Sequence, residues 1–76
     1  MQLDILTADK TLFSGEVDVI TLPGSKGQFQ VLNNHAAMVS SLDKGLVKTQ
    51  SKSGNQTFEI KGGVVEILKN KVVVLA

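Results

Sequence analysis

The sequence lacks cysteine, arginine, tryptophan and tyrosine, and it contains one histidine and one proline in 76 residues. Without cysteine, neither a disulfide framework nor a thiolate metal site can form, and the lone His35 cannot build a histidine-rich zinc site. No cofactor is predicted. A domain of this length buries only about 60% of the surface that its unfolded chain exposes. Its stability must therefore come from core packing, supplemented by whatever partner it binds.

The missing arginine and the few aromatic residues argue against nucleic-acid binding. All eight basic residues are lysines, so bidentate arginine contacts to phosphates and base edges cannot form. Three phenylalanines and a net charge of +1 are too little for a basic stacking groove. The N-terminus lacks the basic start of a secretory signal, and the longest apolar run, VVVLA, is far shorter than a spanning helix. We expect a soluble domain that reaches a membrane only through a partner.

Apolar and polar residues alternate with a period of two along most of the chain. The pattern is clear in QLDIL, EVDV, QFQV and TFEIK, and it is typical of half-buried strands in an antiparallel sheet. We count roughly eight to ten short strands and no linker, repeat or low-complexity tract. The sequence predicts a single all-β domain over residues 1–76, a flattened sandwich or barrel of mainly antiparallel strands.

The turns are predicted from glycine, proline and asparagine. Three segments indicate tight reversals, PGSKG, SKSGNQ and LKNKV. The segment LDKGL predicts a three-residue hairpin loop with Gly45 in the left-handed region. The pair Gly62–Gly63 predicts a bulge or a close backbone approach. Only NNHAAMVSS has some helical character, enough for a turn or two.

Several strands carry apolar residues at both odd and even positions, and therefore on both faces of the strand. Val64 and Leu68 oppose Val65 and Ile67, and Leu6, Ile20, Leu22, Val73 and Leu75 break the alternation in the same way. One explanation is that strands switch sheets at bulges or are central to both layers. The other is that part of an outer face is buried against a partner, because large exposed apolar patches usually mark interaction surfaces.

Candidates for chemistry are few. His35 has Ser40, Ser41 and Asp43 nearby in sequence, but no G-x-S-x-G turn exposes a nucleophile. The segment GSKG around Lys26 lacks the spacing and the helix of a phosphate-binding loop. A lysine at a hairpin tip is also the feature of lipoyl and biotinyl carrier domains, so a carrier domain is one alternative. The sequence nevertheless indicates an interaction module and not an enzyme.

The order of the segments is more specific than any one of them. From LFSGEVDVITLPGSKGQFQVLNNHA through the L-x-x-G-x-V of Leu42, Gly45 and Val47 to the I-x-GG-x-V-E-I of residues 60–67, the chain resembles the N-terminal β-sandwich of the ATP synthase epsilon subunit, called delta in mitochondria. The similarity covers the whole chain in order. It implies a flattened ten-stranded sandwich and a non-catalytic rotor subunit that contacts the gamma subunit and the membrane c-ring, with the catalytic alpha and beta subunits as indirect partners.

The resemblance also implies two sets of contact residues. The loop after the Pro-Gly turn and the histidine loop would together face the polar loops of the ring, through Ser25, Lys26, Gly27, Gln28, Asn34 and His35. Residues facing gamma would be Thr7, Met38, Val39 and Ser40. For His35 the plainer alternative is a loop histidine bonded to neighbouring backbone. The implied location is peripheral, on the cytoplasmic face of the bacterial inner membrane, as part of the F1 sector.

The chain departs from the family pattern in three places. Many relatives have His-Ala-Pro where this sequence has His35, Ala36 and Ala37, and many have a Pro-Gly pair where it has Asn33 and Asn34. Asparagine tolerates left-handed φ, so the turn can survive. Relatives also commonly continue into a helical hairpin that inhibits hydrolysis, whereas this sequence ends at Ala76. Inhibition and nucleotide sensing are therefore not expected of these residues. A free-standing interaction module is the alternative function.

Overall fold

A computed structural model describes all 76 residues and contains nine strands and no helix. No segment could therefore cross a membrane as a helix. The prediction of an all-β domain with eight to ten strands is confirmed. The strands are β1 (Gln2–Leu6), β2 (Thr11–Glu16), β3 (Val19–Gly24), β4 (Gly27–Leu32), β5 (Met38–Leu42), β6 (Gly45–Ser51), β7 (Gly54–Ile60), β8 (Gly63–Leu68) and β9 (Lys71–Leu75).

The three tight reversals lie where the turn residues predict them. Each connects antiparallel neighbours through two residues, between β3 and β4, between β6 and β7, and between β8 and β9. Gly27 and Gly54 follow the first two turns with positive φ angles, which residues with a side chain rarely adopt. The glycines therefore set the register of two hairpins.

The strands form two layers. The first sheet has the order β2-β1-β9-β8-β5, and the second contains β4, β3, β6 and β7. The layers are joined where β5 pairs with β3 at Gly24 and Leu42. At their other edges, Phe13 of β2 and Phe58 of β7 pack together with ring centroids 5.4 Å apart. One pair, β1 with β9, is parallel, and the other neighbours are antiparallel, which gives a barrel-like sandwich.

The core lies between the two layers and is made of aliphatic side chains. Alternation places Leu3 and Ile5 of β1 inward, opposite Val72 and Val74 of β9. Apart from Met1 and Val17, which lie outside the strands, the remaining buried apolar residues come from β3 to β8, and Leu12 and Phe13 of β2 pack against the core. Burial of each aliphatic side chain contributes roughly 1.5–3 kcal/mol, so this one cluster holds the small domain together.

The prediction for LDKGL was wrong. Strands β5 and β6 do not pair with each other, because the chain crosses there from the first sheet to the second. Gly45 does not have a positive φ. Glycine is required at position 45 for a steric reason, because a Cβ there would lie 2.8 Å from the Cβ of Pro23. The backbone amide of Asp43 donates to the carbonyl of Pro23 at 2.8 Å and helps to hold the crossing.

Two further local predictions need correction. The segment NNHAAMVSS forms no helical turn, because residues from Met38 onward pair with β8. EVDV is not one strand either, because β2 ends at Glu16 and β3 begins at Val19. Val17 is nevertheless buried and Asp18 exposed, so the alternation was correct although the chain bends between two strands.

Candidate interaction surface

The outer face of the first sheet is largely apolar. Side chains of β8 and β9 that point away from the core include Val64, Leu68 and Leu75, which are 40%, 51% and 53% exposed. Val39 of β5 is 67% exposed. Together with the partly buried Leu6 and Val73, these residues form what we call the apolar face: Leu6, Val39, Val64, Leu68, Val73 and Leu75.

The strand register brings these residues together. One cross-strand row runs Ser41, Val64, Leu75 and Leu6. The next row runs Val39, Glu66, Val73 and Asp4, then Ser14 at the edge. Directly opposed side chains lie about 4.5–5.5 Å apart, so the apolar residues of the two rows are contiguous. Exposed contiguous apolar surface of this kind marks interaction sites.

The outer face of the second sheet has a different character. Its exposed positions are mostly amides, hydroxyls and charges, namely Gln28, Gln30, Lys48, Gln50, Asn55, Thr57 and Glu59. Leu32 and Leu46 are exposed there, but Leu46 is opposed by Glu59. The apolar surface is therefore concentrated on one side of the sandwich.

The first explanation, that some strands are central to both layers, applies to β3. Ile20, Thr21 and Leu22 of β3 are all buried, because β3 pairs with three strands and lies where the layers join. The sandwich itself therefore covers both faces of β3 at these residues. In β8 and β9 the second set of apolar side chains is open to solvent, and its burial against a partner stays a prediction.

Two carboxylates lie within the second row, and they differ in their surroundings. Asp4 Oδ1 accepts hydrogen bonds from Ser14 Oγ at 2.7 Å and from Gln2 Nε2 at 2.9 Å. The ammonium of Lys71 lies 3.9 Å from Asp4 Oδ2. The bonds from Ser14 and Gln2, with a smaller contribution from Lys71, lower the pKa of Asp4 below 3.8 against the opposing effect of desolvation.

The lowered pKa of Asp4 predicts part of the acid sensitivity of the domain. The ionised form is favoured by folding, so its stabilisation is complete above the unfolded pKa and is lost as the pH falls through the lower folded pKa. We expect Asp4→Asn to flatten the fall in stability below pH 3.8, and Ser14→Ala to flatten it less. Urea denaturation at a series of pH values measures this. Parallel curves for Asp4→Asn and the parent chain would contradict the assignment.

Glu66 has no such partners. The ion pairs of the chain are Lys71 with Asp4 and the N-terminal ammonium with Glu16, so Glu66 is unpaired. Its cross-strand neighbours are Val39 and Val73, and Val64 and Leu68 flank it along β8. One exposed carboxylate is therefore surrounded on four sides by the apolar face.

The residues predicted to face gamma do not all lie together. Val39 belongs to the apolar face, whereas Met38 and Ser40 have the opposite parity and oppose the core residues Ile67 and Val65. Met38 is still 36% exposed at the rim of the sandwich. Thr7 lies beyond the end of β1, and β9 and β8 separate it from β5, a lateral distance of about 14 Å.

Thr7 has a local structural role. Its hydroxyl accepts hydrogen bonds from the backbone amides of Lys10 and Asp9 at 3.1 and 3.3 Å. These bonds organise the turn between β1 and β2. A contact of Thr7 with gamma stays a prediction, and it would have to be made from a different strand than that of Val39.

The hairpin tip predicted to face the ring is exposed and is fastened to β5. Ser25 N donates to the carbonyl of Ser41 at 3.0 Å, Ser41 Oγ donates to Ser25 Oγ at 3.0 Å, and Ser25 Oγ donates to Asp43 Oδ1 at 3.0 Å. A shallow groove lies between this tip and β5. It is lined by Lys26, Gly27 and Gln28 on one side and by Met38, Val39 and Ser40 on the other.

Asn34 and His35 lie elsewhere. The tip precedes β4 and the histidine loop follows it, so the two loops are separated by the length of a strand of about 17 Å. They do not share one end of the sandwich, contrary to the prediction. Which of them contacts a ring stays a prediction.

Local hydrogen bonds hold the histidine loop. Asn34 adopts a φ of 62°, as expected for asparagine in a left-handed turn. Its backbone N–H donates to Asn70 Oδ1 at 2.8 Å. His35 Nδ1 lies 2.7 Å from the carbonyl of Ala36. This is the neighbouring-backbone bond of the plainer alternative. His35 precedes β5 and Asp43 follows it, so the two are not brought together.

Comparison with known proteins decides the family. The model of the ATP synthase Delta/Epsilon chain, beta-sandwich domain, matches residues 1–76. The chain belongs to the ATP synthase delta/epsilon family. It is 42% identical over 74 residues to the ATP synthase epsilon chain of Chlorobaculum tepidum, covering 96% of this chain and 84% of that protein. The family assignment takes the place of the carrier-domain alternative for Lys26.

Other relatives in the delta/epsilon family are longer. The ATP synthase epsilon chain of Dehalococcoides mccartyi strain BAV1 is 37% identical over 76 residues, which are 100% of this chain and 54% of that protein. The chain thus spans about half the length of that relative. This chain corresponds to the beta-sandwich domain of the family.

Solved structures share the fold. The chain superposes with a TM-score of 0.89 and 23% identity on a chain of the Euglena gracilis mitochondrial ATP synthase, described as OSCP/F1/c-ring, covering 97% of this chain and 48% of that one. A chain of the Tetrahymena thermophila mitochondrial ATP synthase, described as central stalk/c-ring, gives a TM-score of 0.82 at 18% identity, with 97% and 60% covered. Both structures therefore reproduce the fold of nearly the whole chain.

Proposed function

We propose that this chain is a non-catalytic central-stalk subunit of an F-type ATP synthase, which links the gamma subunit to the c-ring. The observation that carries the proposal is the apolar face, which is exposed in a chain of the delta/epsilon family. Chains of the same fold occur in assemblies described as central stalk and c-ring. A rotor part needs complementary surfaces and no nucleophile.

The two exposed regions would have different partners. The apolar face would bind gamma, because dry packing against a partner removes its aliphatic side chains from water. The polar hairpin tip at Ser25, Lys26, Gly27 and Gln28 would contact the polar loops of the ring. The histidine loop, with Asn34 and His35, would make a separate contact from the other end of β4.

The architecture suits a coupling element. A close-packed core between two hydrogen-bonded sheets deforms little under load, and the bonds from Ser25 to Ser41 and Asp43 fasten the ring-facing tip to a strand of the apolar face. Force applied at the tip would thus reach the gamma contact through β5. The subunit would be peripheral, held at the cytoplasmic face of the bacterial inner membrane only through the complex.

Binding to gamma should be sensitive to charge on the apolar face. We expect Val39→Asp to weaken binding by about 100-fold, because the carboxylate would be desolvated at the interface at a cost of about 3 kcal/mol. The isolated domain should remain folded, since Val39 is 67% exposed. Titration of the purified gamma subunit by isothermal calorimetry measures the affinity, and thermal denaturation checks the fold.

Leu46→Asp provides the matched control. Leu46 is also an exposed aliphatic residue in a strand, 44% exposed, but it lies on the polar outer face of the second sheet. Its substitution should leave gamma binding unchanged. Equal effects of the two substitutions, or normal binding of Val39→Asp, would mean that gamma binds elsewhere.

A further inference from the structure

We propose that Glu66 receives a lysine or arginine side chain of the partner that covers the apolar face, so that one buried ion pair sets the register of docking. This inference rests on the proposed function and adds the chemistry of the partner surface. It starts from the position of Glu66 in the second cross-strand row, between Val39 and Val73.

Docking on the apolar face would remove water from Glu66. In the free chain Glu66 is exposed and hydrated. A partner that covers Val39, Val64, Leu68 and Val73 must also cover the carboxylate that these residues surround. A carboxylate buried without a partner is strongly destabilising. The covering surface must therefore supply a positive charge at this point.

No lysine of the chain forms an ion pair with Glu66 in this structure. Lys71 is the nearest lysine in the register, opposite Leu68, but its ammonium lies 3.9 Å from Asp4 Oδ2. Asp4 in turn accepts bonds from Ser14 and Gln2. The carboxylate at the edge of the face is thus satisfied within the chain, and the one at its centre is left for the partner.

The charge of Glu66 also restricts which kind of partner can cover the apolar face. Two copies of this chain packed through the apolar face around a two-fold axis would bring two Glu66 side chains toward each other, and like charges at an interface are unfavourable. An anionic lipid surface would be repelled in the same way. A protein surface with aliphatic residues around one basic side chain is complementary, and arginine is especially suited because its planar group bonds both carboxylate oxygens.

The test compares Glu66→Gln with the parent chain in binding to the purified gamma subunit. Gln keeps the shape and removes the charge, and we expect affinity to fall about 10- to 100-fold, as for loss of a buried charge partner. Glu59→Gln, an exposed carboxylate on the second sheet, should bind like the parent chain. Glu66→Lys should bind more weakly still, and one Lys→Glu or Arg→Glu substitution in gamma should restore its binding.

The outcomes separate the two proposals. If Glu66→Gln binds like the parent chain while Val39→Asp does not bind, gamma docks on this face without a basic side chain, and the inference about Glu66 is overturned. The inference is also overturned if light scattering shows that Glu66→Gln dimerises while its affinity for gamma is unchanged. The carboxylate would then serve only to prevent self-association of the chain. If the parent chain itself does not bind gamma, both proposals fail. Circular dichroism verifies that each variant is folded.

Discussion

Replacing Gly63 by alanine should destabilise the domain more than any other single methyl addition. Gly63 begins β8 with a φ of 140°, and a Cβ at this position would overlap the backbone carbonyl of Leu75 in β9. Strain at such a φ is worth about 1–3 kcal/mol, and forced overpacking adds about 1–3 kcal/mol. The nearest atoms that the Cβ would meet all belong to the backbone of Leu75 and Ala76, so no side chain can move away to relieve the overlap.

Such a loss is large for this domain. A chain of 76 residues has a total stability of roughly 4–11 kcal/mol, so a loss of about 2–6 kcal/mol should remove roughly half of it and lower the urea midpoint of Gly63→Ala. Gly54→Ala is the control. Gly54 has a similar φ of 124°, but its Cβ would meet no atom within 4 Å, so only the strain applies, about 1–3 kcal/mol. Similar urea midpoints for the two variants would show that β8 and β9 can separate locally without loss.

Truncating the core at Leu22 should have a comparable effect for a different reason. Leu22 is 0% exposed and lies in β3, which pairs with strands of both layers. Leu22→Ala removes buried apolar atoms and leaves a cavity, with an expected loss of about 2–5 kcal/mol. A lower urea midpoint with an unchanged slope would show that stability alone has changed.

Leu68→Ala makes the same chemical change on the apolar face. Leu68 is 51% exposed, so its truncation should alter the free energy of unfolding by less than about 1 kcal/mol. The two substitutions thus compare a leucine that holds the fold with one that is available to a partner. If Leu68→Ala destabilises the free chain as much as Leu22→Ala, the apolar face is part of the core and not a docking surface.

Most of the fold was predictable because period-two alternation and turn chemistry act locally. Three hairpins turn at Ser25–Lys26, Lys52–Ser53 and Lys69–Asn70, and each was predictable from residues within four positions of one another. The loop at Gly45 was mispredicted because its glycine is required by Pro23, more than twenty residues earlier. No local pattern encodes such a contact.

The candidate site was predictable only in part, for the same reason. The sequence showed that β8 and β9 carry apolar residues on both faces, and it suggested a binding partner as one explanation. What required the structure was the register, which places Val39 beside Glu66 and leaves Glu66 without a lysine. The register also separates the histidine loop from the hairpin tip, which lie close in sequence but at opposite ends of β4.

The parallel pairing of the first and last strands has a mechanical consequence. Five residues of β1 pair with five of β9 in the same direction, so tension applied between residues 1 and 76 would pull the two strands past each other lengthwise. In this shear geometry all hydrogen bonds between them resist at once, whereas an antiparallel hairpin pulled from its open end unzips one bond at a time. Stretched by its ends in a force spectrometer, the sandwich should yield abruptly at high force.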